Sequence, residues 1–376
     1  MELRREPFIR QELFMKYIFS TLFIILIFAN FVVGDDGYII SQSGFLKIMP
    51  LYQSWKIGDN FSVSEVSVPL FLYYPVNRQM SLSLQGNQAN VSGDVPGLNG
   101  ITDVQLAFNY QWQENLVFNV GFNVPSGKNE LTMQEFETSR WLSLNHFAFQ
   151  VPNFGQGFNA SPGLTWALPL GEKAVFGLGA SYQYKGKFKP LKGMTDDYDP
   201  GDEILVTGGV DLLMSEKTTF AADVVYIFFG EDKRDDQKVY RSGNKILINA
   251  RFRTWIDYNE LVVLAHYRSK SKNSYVIGGV FQEELDNTTP NQIDVMGQYR
   301  MRLNPKFYAT VLAEARSFQP TSFTKGVTII GVGIAPEIML SPNLALPAKI
   351  KYLFGNFEND LHLSGLELGM GFSLKF

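Results

Sequence analysis

The sequence predicts an all-β chain, an antiparallel up-and-down transmembrane β-barrel of about sixteen strands, with fourteen as the alternative count. Three observations predict it. Apolar and polar residues alternate with period two over segments of ten residues or more. Short polar turns alternate with longer connections. No segment beyond the N-terminus is long and apolar enough for a membrane helix.

The alternation is plainest in four stretches. Val104, Leu106, Phe108, Tyr110 and Trp112 face away from Asp103, Gln105, Ala107, Asn109, Gln111 and Gln113. Leu116 to Val124 repeats the pattern, as does Ala174 to Lys185. The chain closes on Leu366, Leu368, Met370, Phe372, Leu374 and Phe376, set against Glu367, Gly369, Gly371, Ser373 and Lys375. Period two means a strand with unlike faces. A soluble sandwich gives the same period with its apolar face inside. Segment length, aromatics at strand ends (Trp112, Tyr182, Tyr184, Phe376) and a polar face rich in Gly, Ser, Asn and Gln favour the barrel.

From the N-terminus, Lys16 precedes an apolar run from Tyr17 to Phe31, then Val32-Val33-Gly34 and Asp35-Asp36. This is a basic, apolar and cleavage-site order, so residues 1–34 are expected to be a signal peptide and 35–376 one mature domain. Residues 1–14 lie ahead of a second methionine, Met15, and read as an over-long start or extended basic region. The run is shorter than the roughly 20 residues of a spanning helix. The absence of cysteine (Cys 0) excludes disulfides and thiolate metal sites and suits an oxidising compartment. The expected location is the bacterial outer membrane, with its lipids as partner. A net charge of -4 is too mild to point to nucleic acid, and none is expected as partner.

Short turns are expected at Asn77-Arg78, Gln113 to Asn115, Gly171 to Lys173, Ser215 to Lys217, Asp257 to Asn259, Asn304 to Lys306 and Ser341 to Asn343. Longer links are expected at 92–100, 126–155, 187–202, 231–238 and 318–325. Seven short turns imply eight hairpins closing at the other end, hence sixteen strands.

The same parity points Arg251, Arg253, Arg268, Arg300, Arg302 and Arg316 inward, with His266, Glu314, Asp211, Asp223, Asp294 and Glu367. An Arg or Lys facing lipid at the midplane would cost about 2–4 kcal/mol, so the interior is the cheap side. Two readings stay open. One is a basic lumen wall that biases a pore toward anionic or amphipathic solutes. The other is a set of cross-strand ion pairs that stiffen the wall and select nothing. The longest link, 126–155, carries Met133, Phe136, Trp141, Leu144, Phe147 and Phe149, too many apolar residues for a solvated loop. It is expected either at the mouth or lumen, as a constriction or capture site, or packed on neighbouring loops or lipopolysaccharide.

The three histidines (His146, His266, His362) lack a nucleophile elbow or an HExxH element, so no enzyme is expected. No cofactor is expected. No His/Asp/Glu cluster has metal-ligand spacing; Asp196, Asp197 and Asp199, and Asp235-Asp236, read as solvated loop tips.

The stretch from Gly100 through Asp103 to Trp112 starts a strand as Gly-x-x-Asp and ends it as Tyr-x-Trp, and Pro125-Ser126-Gly127 follows. It resembles outer-membrane proteins of the phenol-degradation meta-pathway type, relatives of FadL-like hydrophobic-compound channels, over about thirty residues. The resemblance implies uptake of hydrophobic or aromatic small molecules. It also implies that a C-terminal strand ending in Phe376 is read by the barrel-assembly machinery. Residues 35–45 lack the Asn-Pro-Ala plug element of the FadL-like channels. The expected function is therefore a channel for passive uptake of small hydrophobic or aromatic solutes. A general or anion-preferring porin, and a non-conducting structural barrel, are the alternatives.

Overall fold

A computed structural model describes residues 43–376 except 114, 145, 323, 359 and 360. The expected signal peptide, residues 1–34, lies outside the described residues. The described chain closes into a sixteen-pass antiparallel barrel. The passes run Phe45–Ile48 with Leu51–Ile57, Phe61–Pro75, Met80–Gly93, Leu98–Ile101 with Val104–Gln113, Leu116–Val124, Asn159–Leu170, Ala174–Lys185 and Glu203–Ser215. They continue as Thr218–Phe229, Lys245–Ile256, Asn259–Lys270, Gln292–Asn304, Phe307–Phe318, Val327–Ser341, Leu344–Phe357, and His362–Met370 with Phe372–Lys375. Each pairs with its neighbours in sequence. The first and last pair with each other, Phe45 opposite Lys375 and Leu51 opposite Gly369, so no edge is left unpaired.

The apolar set faces out. Phe122, Leu178, Val206, Ile293, Val311, Val332, Ile350 and Phe354 are exposed on the outer surface, between 40% and 54% accessible. Their odd- or even-numbered neighbours point in. Register makes this continuous: Ile330 pairs with Phe354, Val332 with Tyr352, and Tyr352 with Leu366. An outward apolar belt is what lipid requires and what water would not tolerate in a monomer.

All seven short turns fall where the polar pairs place them, at one end of the barrel. Both ends of the described chain lie there too: Phe376 N–H donates to Gly44 O at 2.9 Å and Lys375 N–H to Asn343 O at 2.7 Å. At the other end, the link expected at 92–100 runs into Leu98–Ile101, a short strand paired back on Gln88 to Val91. Connection 58–60 is as tight as the turns opposite. The link 271–291, not anticipated, carries the hairpin Ser274–Ile277 and Val280–Glu283. With Glu231–Arg234, Gln237–Arg241 and Tyr198–Asp199 it builds a five-stranded sheet beyond the rim. So 231–238 is mostly paired strand rather than loop, because two hairpins and a two-residue strand from three links share one ladder.

Candidate functional site: an inward-folded loop facing a charged wall

The connection 125–158 does not stand away from the barrel; it turns into it. Asp103 holds both of its feet. Asp103 Oδ1 accepts Gly127 N–H at 2.8 Å, and Oδ2 accepts Gln156 N–H at 2.8 Å and Asn123 Nδ2 at 2.7 Å. Gly127 is required there: a Cβ would come within 2.2 Å of Phe154 O and 2.5 Å of Asp103 N.

Within the loop a helix spans Met133–Leu142. Thr132 caps it, its side chain accepting Glu135 N–H while Glu135 accepts Thr132 N–H, and Lys128 pairs with Glu135 at 2.5 Å. Lys128 and the two Thr132 hydrogen bonds hold the Glu135 carboxyl below its ordinary range, against the opposing push of burial. Thr138 and Leu142 are buried toward the wall, and Thr138 Oγ1 donates to Pro96 O at 2.6 Å.

After the helix, 146–151 runs along the inner wall and is held by side chains rather than by a strand ladder. Arg316 Nη1 donates to His146 O at 3.1 Å, Trp55 Nε1 to Phe147 O at 3.0 Å, and Gln53 Nε2 to Ala148 O at 3.2 Å. Gln53 Oε1 accepts Gln150 N–H at 2.8 Å, and Glu65 accepts Val151 N–H at 3.2 Å. Phe147, Phe149, Val151 and Phe154 pack on Trp55, Val63, Val91, Phe318, Ile329 and Leu363. The barrel's apolar core is therefore made by loop against wall. Of the six expected apolar loop residues, Phe147 and Phe149 are in this core, and Phe136 and Leu144 border it. Trp141 packs at a tilt against Phe61, ring centroids 5.0 Å apart, while Met133 stays exposed.

Register gives the expected charges the inward parity of their strands, with Arg302 exposed at the turn end. One row runs Asp211, Ala221, Arg251, Leu264, Met296, Glu314; the next runs Asp223, Asn249, His266, Asp294, Arg316. Many are paired. Arg253 pairs with Glu260, Arg300 with Glu337 at 3.5 Å, and Arg316 with Glu314 at 3.2 Å. Lys351 bridges Glu314 at 3.1 Å and Glu367 at 2.7 Å, and Lys349 joins Glu367 at 2.6 Å. Arg302 lies over the Tyr258 ring at 5.9 Å near the turn end. Both readings of the wall thus find residues: ion pairs that join neighbouring strands, and the Arg268 donors described next.

Arg268 lies on the strand Asn259–Lys270. Among the described residues its Nε and Nη2 meet no acceptor, and Lys245 and Lys270 face each other across the next pairs. Buried donors without partners imply water or an anion beside them. Inward side chains here (Arg251, Leu264, His266, Arg268, Met296, Arg300) keep partial exposure, whereas Trp55, Val63, Ile329 and Leu363 under the loop keep almost none. The loop therefore covers Trp55, Val63, Ile329 and Leu363 and leaves these other side chains partly accessible. His146, at the boundary, is 4% exposed. Burial first, then the Arg268 and Arg316 charges, push its imidazole down to about 4.

Sequence reasoning missed Trp55, Gln53 and Glu65, the wall side of the seat; Glu65 as an inward acid was available by parity alone.

No protein-family model and no curated protein matches the chain. Solved structures resemble it at low identity. OccAB3 of Acinetobacter baumannii is 8% identical at TM-score 0.47, over 89% of this chain and 99% of that one. A monoaromatic hydrocarbon channel, CymD, is 11% identical at 0.44, over 89% of both chains. OprD of Pseudomonas aeruginosa is 8% identical at 0.43, over 89% and 95%. At such identities and scores none carries a function over to this chain.

Proposed function

We propose that the chain is an outer-membrane channel for passive movement of small molecules, with hydrophobic or aromatic solutes as its cargo. One observation supports this reading: a closed barrel whose longest loop packs on part of the inner wall, while Arg251, His266, Arg268 and Arg300 on other strands keep partial exposure. A purely structural barrel needs no such seat, because its wall already satisfies its own backbone. The loop narrows the passage and supplies aromatic surface; these side chains supply charge. Residues 100–129, with their resemblance to phenol-degradation meta-pathway proteins, agree with that cargo.

In planar bilayers the purified protein is expected to give small single-channel currents that grow when Arg316→Ala weakens the loop seat. A large current in the wild type, unchanged by Arg316→Ala, would point to a wide general porin. No current and no solute flux in either protein would leave a structural barrel.

The unpaired Arg268 donors and the facing Lys245 and Lys270 favour a second reading, an anion-preferring pore. Arg251→Ala combined with Arg300→Ala should then shift the reversal potential toward cations. An unchanged potential would discard anion selection by this wall.

A further inference from the structure

The loop-bearing end holds a cavity of about 390 Å³ that the lumen description does not use. Its size lies within the roughly 300–1,000 Å³ of small-molecule pockets. One wall is a single face of the helix Met133–Leu142 and its cap: Phe136, Ser139, Arg140 and Ser143 follow at i, i+3, i+4 and i+7. That face is set by the opposite one, since Thr138 and Leu142 are buried toward the barrel wall. The other wall is Phe188 and Pro190 from the neighbouring link.

The two walls are tied together by backbone. Leu131 N–H donates to Pro190 O at 3.1 Å, and Lys192 N–H to Leu131 O at 2.8 Å. Phe188 and Tyr198 exchange both backbone bonds at 2.9 and 3.0 Å. At the base, Gly155 lets Asn129 approach so closely that a Cβ would sit 2.1 Å from Asn129 Oδ1. The cavity is therefore preformed, and a ligand need not order it.

Its chemistry is that of a flat ring with one negative end. Phe136 and Phe188 offer aromatic surface from opposite walls. Arg140 is exposed and has no acidic partner among the described residues. No carboxylate lines the cavity, which disfavours a cation. Ser143 Oγ is already engaged locally, donating to Ser139 O at 2.7 Å and Pro152 O at 3.3 Å, and the Arg140 guanidinium is the one charged group in the lining.

We propose that this cavity is an entry site for small aromatic carboxylates, with Arg140 pairing the carboxylate and Phe136 and Phe188 flanking the ring. The inference rests on the channel reading and deepens it by naming a class of cargo.

Equilibrium dialysis of radiolabelled benzoate against the detergent-purified full-length protein tests it. Saturable binding is expected. Arg140→Gln should weaken benzoate about tenfold, the size of a lost charged hydrogen bond, and leave weaker benzyl alcohol binding unchanged. Phe136→Ala should weaken both probes. An unaltered mobility shift between heated and unheated samples certifies that the variants fold. Absence of saturable benzoate binding, or equal binding by wild type and Arg140→Gln, would overturn the proposal. Benzoate-driven liposome swelling separates the two readings. Binding without flux removes the channel and keeps the pocket; flux without binding removes the pocket and keeps the channel.

Discussion

At the scale of single residues, the side chains that matter most act on the loop. Asp103 accepts three hydrogen bonds from the loop's two feet and from Asn123. Asp103→Ala removes the acceptor of two backbone N–H groups and the Asn123 amide, at about 0.5–1.5 kcal/mol for each partly exposed hydrogen bond. The expected outcome is faster proteolytic nicking within 126–155 while the barrel itself survives; equal cleavage rates would show that the feet are held otherwise. His146 offers a pH handle. Its docked value of about 4 lies below its ordinary 6.5, so between these pH values the released loop binds more protons than the docked one. Docking is fully supported above pH 6.5 and weakens as pH falls toward 4, by roughly 3 kcal/mol at the limit. Loop cleavage should rise over that window in the wild type and rise less in His146→Leu. Phe376 packs near Tyr74 at 6.2 Å and is half exposed. If it is the assembly signal, deleting it should lower the amount of barrel in the outer membrane without impairing refolding of the purified protein.

At the scale of elements, two devices can be tested separately. The helix Met133–Leu142 depends on its capping box, Thr132-Met-Gln-Glu135. Thr132→Ala should cost about 0.5–2 kcal/mol of local stability, seen as faster amide exchange in the helix and nowhere in the wall. The strands depend on their lipid face. Val332 lies mid-strand and outward, 50% exposed. Val332→Arg should cost about 2–4 kcal/mol in a bilayer, read by denaturant unfolding from vesicles; a negligible change would place that face out of the hydrocarbon. The strands and the turns were legible because their signals are local. Alternation over Val104–Gln113 assigns each side chain to a face, and polar pairs such as Glu216-Lys217 mark where the chain reverses. The helix left a local signature too, in its Thr-x-x-Glu spacing, but its apolar members invited a loop reading. The rim sheet left none, since Tyr198–Asp199, Glu231–Arg234 and Ser274–Ile277 meet only across three separate links.

At the scale of the molecule, the barrel reverses the usual order of a protein, with its grease outside and its core built between a loop and one inner wall. A heat-modifiable shift of the protein in an outer-membrane fraction is the expected behaviour of such a closed barrel; a soluble periplasmic product would contradict it. The amino-acid order alone pointed to the closed all-β architecture, to an even number of passes with sixteen ahead of fourteen, and to the turn positions, because a strand's two faces alternate residue by residue and each assignment needs only near neighbours. It did not determine where 126–155 goes or which arginines are neutralised. Those depend on partners far away in sequence: His146 O on Arg316, Phe147 O on Trp55, Val151 N–H on Glu65, Glu314 on Lys351. Only closure of the sheet brings residues 53–65 and 314–367 side by side around one interior. The seat of the loop, and with it the shape of the passage, exists only once the barrel has closed.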